Sequence, residues 1–391
     1  MCAARAHGPQ SPPCHAFATR ARRRRSVLRV ASQDSPNLMP ASFTRLVALT
    51  TGPSFRDVAQ LQVCHTVPEP GPGQALVRVK HAGVNGGCET FRARGEFWFK
   101  ANKRLVGDGG FALGAEGSGI IAALGTGCPP SLHIGDAVNF VGGAFAEYVL
   151  ATASSLWPVP DANPEAVACA ISGTTAAVAL TVNVGIQPGD TVLVTAAAGA
   201  TGSFAVQIAV RAGAHVIAVC GGKKKAALCA SLGANRVIDH THESVGEVLA
   251  RDYGTHGLDV VYEGVGGPML NAILPHLAPN GRCMIIGYIS GYPHTMNGRD
   301  AAPLPQNDLT EGLFWSGGTL EIEGGRKLIG TVMPDRAAML AAKRRLFDDV
   351  AAGHIKPVID TQRQFEGLAS VPDAMDYMLS GQAIGKVVVS L

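Results

Sequence analysis

The stretch VTAAAGATGSFAVQIA, Val194–Ala209, determines how the whole chain is interpreted. It continues the apolar run TVLVT and leads into a pattern typical of a helix that begins near Thr201. A turn of small residues between a strand and a helix lets a pyrophosphate approach the backbone, and the helix N-terminus supplies free N–H groups. Ala197, Gly199 and Gly202 occupy the three small-residue positions, with alanine replacing the first glycine. We predict a dinucleotide-binding turn, for which a purely structural tight turn is the alternative.

The segments after this turn repeat the same rhythm of short apolar runs and helical patterns. The runs are HVIAVC (215–220), RVID (236–239), LDVVYEGV (258–265) and RCMIIGY (282–288). Such alternation is typical of βαβ units and a parallel sheet. We therefore predict an α/β chain with a Rossmann-type, doubly wound parallel sheet.

The segment before the turn is different, because it is dense in glycine and has short apolar runs, which favours a β-rich domain. The final strand GKVVVSL predicts that the chain returns to that domain. The predicted organisation is a transit peptide and linker (1–42), a first part of the β-rich domain (43–165), the nucleotide-binding domain (166–302) and a second part of the β-rich domain (303–391).

The residues after the second apolar run indicate which nicotinamide cofactor binds. An NAD site commonly has an acidic residue at this position, which binds the ribose 2′-hydroxyl. Here the run HVIAVC ends in Gly221-Gly222-Lys223-Lys224-Lys225, with three cations and no acid. Because lysines attract a 2′-phosphate that a carboxylate would repel, we predict NADPH, with Lys223 and Lys225 among its ligands. A solvated lysine-rich face would explain the charges but not the missing acid.

The basic residues are concentrated in a leader. Residues 1–33 contain seven arginines and no acid, and without them the net charge falls from +3 to −4. A leader rich in arginine, alanine and serine is typical of an organelle transit peptide, for which we predict the chloroplast, with the mitochondrion as the alternative. A basic tail without a targeting role is a further alternative. The mildly acidic remainder predicts no nucleic-acid partner.

Two further observations exclude other classes of protein. No run of 18 or more apolar residues occurs, which argues against a membrane span. The nine cysteines include no C-x-x-C pair, which argues against a disulfide scaffold and against a cysteine-rich zinc knot.

A series of motifs runs through the chain in the order GVN (83–85), GAEGSG (114–119), GAFAEY (143–148), SGTTA (172–176), VTAAAGATG (194–202), DVVYEGVGG (259–267) and IGYISGY (286–292). Over about residues 43–391 these motifs resemble the medium-chain dehydrogenase/reductase superfamily, in its zinc-independent quinone oxidoreductase branch, and in particular the prostaglandin reductases. The resemblance implies that the β-rich domain is a GroES-like catalytic domain with the Rossmann domain inserted into it. It also implies a homodimer or homotetramer.

The activity that the resemblance implies is NADPH-dependent, metal-independent reduction of the carbon–carbon double bond of enones or alkenals. An NADPH:quinone reductase is the alternative within the same fold. A third hypothesis, from another class, is a nucleotide-binding structural or RNA-binding protein similar to some zeta-crystallin relatives.

The same resemblance implies roles for individual residues. Tyr292, in Ile-Ser-Gly-Tyr, matches a tyrosine near the nicotinamide ribose and the substrate oxygen, where a neutral phenol could donate a hydrogen bond to a developing enolate. Asn85 matches an asparagine near the nicotinamide, and Thr175 matches a threonine beside the carboxamide. Lys225 matches a family lysine, while His240 stands where a tyrosine near the adenosine phosphate is expected.

The resemblance has departures. The family commonly carries N-x-x-D in the first loop, whereas Cys88 stands at the place of the acid here. A serine that often binds the 2′-phosphate appears as Gly221. Zinc-dependent relatives use Cys, His and Cys around a catalytic metal, and these positions appear here as Asn85, Ala115 and Cys169. We predict that no zinc is bound and that Cys169 is a buried structural residue.

Overall fold

The computed structural model describes residues 40–95, 110–255, 257–292, 295–296, 299–300, 309–330 and 334–391. The predicted transit peptide lies outside these residues except for 40–42. The strands are β1 Phe43–Ala48, β2 Ala59–Cys64, β3 Gln74–Gly83, β4 Phe111–Ala112, β5 Glu116–Leu124, β6 Ala137–Val141, β7 Tyr148–Thr152, β8 Trp157–Pro158, β9 Thr191–Val194, β10 His215–Cys220, β11 Arg236–Asp239, β12 Leu258–Glu263, β13 Leu277–Ile285, β14 Thr295–Met296, β15 Arg299–Asp300, β16 Thr319–Ile322, β17 Arg326–Ile329, β18 Phe365–Glu366 and β19 Val388–Ser390.

The helices in the described part of the chain are α1 Phe55–Val58, α2 Gly86–Arg94, α3 Pro164–Asn183, α4 Ala200–Arg211, α5 Lys223–Ser231, α6 Val245–Tyr253, α7 Gly267–Ile273, α8 Leu309–Ser316, α9 Arg336–Ala351 and α10 Val371–Leu379. Short 3₁₀ turns occur at Ala153–Ser155, Leu274–His276, Ile289–Gly291, Glu323–Gly325 and Leu368–Ser370.

The predicted parallel sheet is confirmed. Its order is β11-β10-β9-β12-β13-β17-β16, and every pairing is parallel except that of the edge strand β16 with β17. Val192, Leu193 and Val194 of β9 are all fully buried, as expected for a central strand covered on both faces. Strand order reverses beside β9, and open α/β sheets bind their ligands at such a switch point.

The parallel sheet does not end at the boundary predicted after residue 302. Strands β16 and β17 follow that boundary but pair with the parallel sheet, and Ala342 and Leu346 of α9 pack into its core. From Phe365 onward the chain contributes strands to the other large sheet. The prediction missed this because two short strands after a turn-rich segment carry no signal for the sheet to which they belong.

The second large sheet belongs to the β-rich region and has the order β18-β19-β3-β5-β6-β8, with β7 also paired to β3. A three-stranded sheet, β2-β1-β4, packs against the same hydrophobic core. Strand β19, next to the C-terminus, pairs antiparallel with the end of β3. The last strand of the chain is thereby placed beside the loop that begins with Val84 and Asn85.

Helix α3 explains the apolar segment that precedes the parallel sheet. By length and composition it could cross a membrane, but 67% of its most apolar window is buried inside the protein, as in the core helix of a soluble fold. It contains two π-helical segments, Cys169–Gly173 and Ala179–Asn183. Such π segments frequently occur at functional sites, because they release a backbone group from the regular helical ladder.

Candidate active site

The turn between β9 and α4 has the shape that a pyrophosphate requires. A methyl group at Gly202 would lie on the Ala196 carbonyl oxygen and 2.8 Å from the Cα of Ala197, so only glycine lets α4 pack this closely. At Gly199 a methyl group would have only the Ala196 oxygen, at 3.1 Å, within 4 Å, so the space beside Gly199 is otherwise open. The residues present therefore fit a dinucleotide.

Two details of the turn explain its departure from the glycine pattern. Ala197, which replaces the first glycine, has its methyl group fully buried in the core and donates its backbone N–H to Val219. Ala196 instead takes the left-handed conformation, with φ of 45°. Gly199 caps α4 without a side-chain hydrogen bond, and Thr201 lies in the first helical turn. The N–H groups of that turn are consequently available to a phosphate.

The loop after β10 brings several predicted cofactor residues together. A Cβ at Gly221 would lie 2.9 Å from Nε2 of His240, so the missing side chain makes room for the imidazole. Gly222 has φ of 90° and precedes α5, whose first residue Lys223 is exposed. Gly221, His240 and Lys223 thus lie at the same end of the parallel sheet, and their contact with the adenosine phosphate stays a prediction.

An acid lies near this loop, although it does not come from β10. The carboxylate of Asp239, at the end of β11, accepts the N–H of Gly222 at 2.8 Å and the hydroxyl of Thr241 at 2.7 Å. The hydrogen bond from Gly222, followed by that from Thr241, lowers the pKa of Asp239 to about 2. Its bonded oxygen, Oδ1, holds the loop in shape. Sequence reasoning missed this role because the acid belongs to the next strand.

Lys225 is directed toward the C-terminal segment. Its Nζ donates a hydrogen bond to the carbonyl oxygen of Gly381 at 2.6 Å, and burial lowers the pKa of this lysine. Two of its three N–H groups remain after that bond, so its predicted contact with the cofactor stays a prediction. The observed contact joins α5 to the chain just before β19.

The other end of the site is centred on Asn85, which precedes α2. Its Nδ2 donates to Oε1 of Glu116 at 2.7 Å, and its Oδ1 accepts from Nζ of Lys386 at 2.8 Å. Lys386 and Glu116 form an ion pair, and both side chains are fully buried. The ammonium also donates to the carbonyl oxygen of Val84 at 2.9 Å. Neither Glu116 nor Lys386 was among the residues predicted to form the site.

Helix α3 completes this network. The N–H of Ile171, inside the first π segment, donates to Oε2 of Glu116 at 2.6 Å. Ser172, also buried, has its Oγ 3.5 Å from Nζ of Lys386. Thr175, predicted to contact the carboxamide, is half-buried one turn after Ser172 and so lies on the same side of the helix.

Tyr292 lies at the helix end that Asn85 caps. Its hydroxyl would be 2.9 Å from a Cβ at Gly87, the second residue of α2, and 3.4 Å from one at Gly287. Its ring is buried and meets Phe91 edge-on, with ring centroids 5.4 Å apart. The structure therefore brings together the two residues predicted to be catalytic, Tyr292 and Asn85.

A buried carboxylate holds the loop that carries Tyr292. Glu263, at the end of β12, accepts the N–H groups of Val265 at 3.0 Å and Gly266 at 2.9 Å. Ser290, two residues before Tyr292, donates its hydroxyl to the carbonyl oxygen of Val265 at 2.6 Å. The position of Tyr292 therefore depends on Glu263, which lies in the motif DVVYEGVGG but was not singled out in the sequence analysis.

The missing acid of the first loop is replaced by its neighbour. Glu89, one residue after Cys88, is fully buried and accepts the N–H of Gly114 at 3.3 Å. Burial raises the pKa of this carboxyl group, and its Oε1 has no hydrogen-bond partner among the described residues. Burial likewise raises the pKa of the Cys88 thiol to about 11. The loop therefore keeps a carboxyl group at a shifted position.

Comparison with known proteins places the chain in a family. Residues 71–161 match the alcohol dehydrogenase GroES-like domain, and residues 200–321 match the zinc-binding dehydrogenase family. Prostaglandin reductase-3 of Bos taurus is 36% identical over 90% of both chains. A probable quinone oxidoreductase of Leishmania amazonensis is 33% identical over 90% of this chain and 99% of its own length.

Solved structures agree with this placement. A mycobacterial protein complexed with NADPH is 25% identical, covers 90% of this chain and 100% of its own, and superposes with a TM-score of 0.69. A quinone oxidoreductase of Pseudomonas syringae is 26% identical over 89% of this chain and 100% of its own, with a TM-score of 0.69. The chain belongs to the medium-chain dehydrogenase/reductase superfamily, in the branch predicted from its motifs.

The zinc in the description of one matching family does not fit the residues present here. Ala115 offers no ligand atom, while Glu116 and Asn85 already bond to Lys386. Burial raises the pKa of Cys169 to about 12, which opposes the thiolate that zinc requires. In the described ranges no group of three or more His, Cys, Asp or Glu residues could hold a metal ion.

Proposed function

We propose that this chain is an NADPH-dependent, metal-independent oxidoreductase that reduces the carbon–carbon double bond of enones and alkenals. The observation that carries the proposal is the meeting of Asn85 and Tyr292 at the N-terminal end of α2. At the other end of the site lies a turn that fits a pyrophosphate. The prostaglandin reductase-3 relative supports an enone as the acceptor.

The residues around Asn85 and Tyr292, a region that we call the cleft, supply what reduction of an enone needs from the protein. NADPH, when bound, supplies a hydride that adds to the β-carbon, and the electron pair of the double bond moves toward the carbonyl oxygen. The phenol of Tyr292 donates a hydrogen bond to that oxygen as negative charge develops on it. The positive end of the α2 dipole, next to the phenol, stabilises the same charge. A proton from water then adds at the α-carbon and completes the reduction.

The loop after β10 supports NADPH rather than NADH. Gly221 leaves room for the imidazole of His240, and exposed Lys223 follows two residues later, so we expect a 2′-phosphate to bind beside these residues. Among the described residues Asp239 is the acid whose carboxylate bonds to this loop, and its Oδ1 accepts hydrogen bonds from Gly222 and Thr241. The mycobacterial neighbour was solved with NADPH.

Quinone reduction is the second candidate, and the Leishmania relative favours it. A quinone is flat and accepts hydride without depending on one hydrogen-bond donor at one oxygen. The two candidates therefore differ in how strongly they depend on the hydroxyl of Tyr292.

The decisive experiment follows oxidation of NADPH and of NADH by the full chain with enones, 2-alkenals, a 15-oxo-prostaglandin and quinones, with and without a chelator. We expect chelator-resistant, NADPH-preferring turnover of enones, about a hundredfold lower in Tyr292→Phe. The matched control is Tyr262→Phe, because the Tyr262 hydroxyl is buried in β12 and has no hydrogen-bond partner among the described residues. Turnover of quinones alone, or full enone activity in Tyr292→Phe, would contradict the enone assignment.

The leader and the assembly of the chain extend the proposal. The arginine-rich residues 1–42 support import into the chloroplast. A fluorescent protein carrying these residues at its N-terminus should enter chloroplasts, whereas entry into mitochondria would support the alternative and retention in the cytosol would exclude both.

We also expect the chain to form a homodimer or homotetramer, which light scattering of the full chain would test. We expect no binding of RNA.

A further inference from the structure

We propose that Lys386 is a positioning residue of this cleft, whose buried ammonium group, paired with Glu116, fixes the side-chain amide of Asn85. The inference rests on the proposed function, in which Asn85 lies at the cleft where the acceptor and the nicotinamide meet. It goes beyond that function because Lys386 lies on the segment before β19 and is not itself exposed to the cleft.

The side-chain amide of Asn85 is held in one orientation by two charged neighbours. Oδ1 of Asn85 accepts from Nζ of Lys386 at 2.8 Å, while Nδ2 donates to Oε1 of Glu116 at 2.7 Å. A flipped amide would place its NH₂ against the ammonium and its oxygen against the carboxylate, which costs two charge-assisted hydrogen bonds. One orientation of Asn85 is therefore strongly favoured, and the charges on both sides select it.

The charges of Lys386 and Glu116 balance each other away from water. Lys386 and Glu116 are both fully buried, so each charge needs the other. Glu116 also accepts the N–H of Ile171 released by the π segment of α3. Lys386 thus supplies, from the chain itself, a positive charge beside Asn85, one of the positions that the resemblance assigns to a zinc ligand in zinc-dependent relatives.

The backbone next to Lys386 contacts the turn between β9 and α4. Gly385 donates its N–H to the carbonyl oxygen of Ala198 at 2.8 Å and pairs with Gly199 in an isolated bridge. The residue before the lysine therefore lies on the pyrophosphate turn, while the lysine itself holds Asn85. The segment around Lys386 joins the two ends of the site within two residues.

The test uses the double variant Lys386→Met/Glu116→Gln, which removes both charges together and keeps both side-chain volumes. Removing the lysine alone would leave a buried, unpaired carboxylate and could prevent folding. We expect the dissociation constant for NADPH to change by less than about threefold and kcat for the acceptor to fall about tenfold or more. Lys343→Met is the matched control, since Lys343 is also largely buried but packs over Trp157 and is hydrogen-bonded to neither Asn85 nor Glu116.

A variant cycle separates positioning from a general loss of stability. If Lys386 acts through Asn85, the double substitution made in an Asn85→Ala background should lower kcat by no more than about twofold further, because the residue being positioned is already gone. A full tenfold loss in that background, or an unchanged kcat in the folded double variant, would overturn the proposal.

A spectroscopic measurement keeps the inference separate from the proposed activity. In protein labelled with ¹⁵N at asparagine, the side-chain NH₂ of Asn85, assigned by its loss in Asn85→Ala, should exchange slowly with solvent in the unmodified chain and rapidly in the double variant. Equal exchange in both would overturn the positioning role. Absence of any acceptor turnover by the unmodified chain would instead refute the proposed function and leave this measurement to decide the role of Lys386.

Discussion

The site has two ends that are built in different ways. We call the turn after β9 and the loops after β10 and β11 the phosphate end, and the surroundings of Asn85 and Tyr292 the cleft end. The phosphate end uses backbone groups and small residues from one continuous stretch, from β9 through the loop after β11. The cleft end uses side chains from distant parts of the chain, and the bond between Lys386 and Asn85 spans 301 positions. A site made of local backbone should respond to substitutions that alter shape, whereas a buried network should respond to those that unbalance charge.

The largest effect is expected from Lys386→Met as a single substitution. It leaves the carboxylate of Glu116 fully buried without its cation, which should lower the free energy of unfolding by about 3–5 kcal/mol. Denaturant unfolding of the full chain measures the change, and the double variant with Glu116→Gln should recover a large part of it. Equal stability of the single and double variants would show that charge balance does not govern the cleft end.

The next effect separates stability from binding at the phosphate end. Gly202→Ala places a methyl group against the backbone of Ala196 and Ala197, which should cost about 2–3 kcal/mol of folding stability.

In Gly199→Ala the new methyl group meets only one atom within 4 Å, so this substitution should cost less than about 1 kcal/mol of folding stability. Because its methyl group would fill the open space beside the turn, it should nevertheless weaken NADPH binding about tenfold or more. Calorimetric titration with NADPH, together with denaturant unfolding, measures both effects. If Gly199→Ala bound NADPH as tightly as the unmodified chain, the prediction that this turn binds the pyrophosphate would be wrong.

A smaller effect on stability is expected at Lys343, which, unlike Lys386, lacks a buried carboxylate partner in the described part of the chain. Lys343 packs over the ring of Trp157, with 4.8 Å between Nζ and the ring centroid. Lys343 forms no ion pair within the described residues, and burial lowers its pKa from 10.5 to about 8. Between pH 8 and pH 10.5 the folded chain thus binds fewer protons than the unfolded chain, so stability contributed by this group rises with pH. Lys343→Met should be more stable by about 1–2 kcal/mol at pH 7, with the gain vanishing toward pH 10.5. A gain that does not depend on pH would contradict the assignment.

The smallest effect concerns Tyr262, whose hydroxyl is buried in the core of the parallel sheet without a hydrogen-bond partner among the described residues. Burial raises the pKa of this phenol well above its usual range. Tyr262→Phe removes an unsatisfied polar group and should raise the free energy of unfolding by about 1 kcal/mol. Thermal unfolding measures the shift, and a loss of stability would mean that the hydroxyl has a partner, for example a buried water.

The two ends of the site also differ in how much of them the sequence could predict. The alternation of strands and helices around the glycine-rich turn was sufficient to predict the parallel sheet, because each βα unit carries its own periodicity. The boundary after residue 302 was wrong with respect to the sheets, since β16 and β17 join the parallel sheet through long-range pairing. Asn85 and Tyr292 were found through family motifs, whereas Lys386 was passed over in the final strand GKVVVSL, where it looks like an ordinary surface lysine.

The shift of the loop acid from the expected position to Glu89 shows why spacing alone was insufficient. Glu89 follows the expected position by one residue on α2, and its carboxyl group accepts the backbone N–H of Gly114 from a neighbouring loop. A motif records the spacing of residues, but it does not record which neighbouring group completes each hydrogen bond.

The sequence by itself determined the Rossmann-type sheet, because the periodicity of strands and helices and the small residues of the turn act locally, and its motifs were sufficient to identify the branch of the superfamily by resemblance. Only the tertiary structure decided that Lys386 and Glu116 form a buried pair, that Glu263 supports the loop of Tyr292 and that Asp239 holds the loop after β10. The physical reason is that a buried charge is stable only beside its partner. Lys386 and Glu116 come from segments far apart in the chain, so local sequence does not encode their pairing.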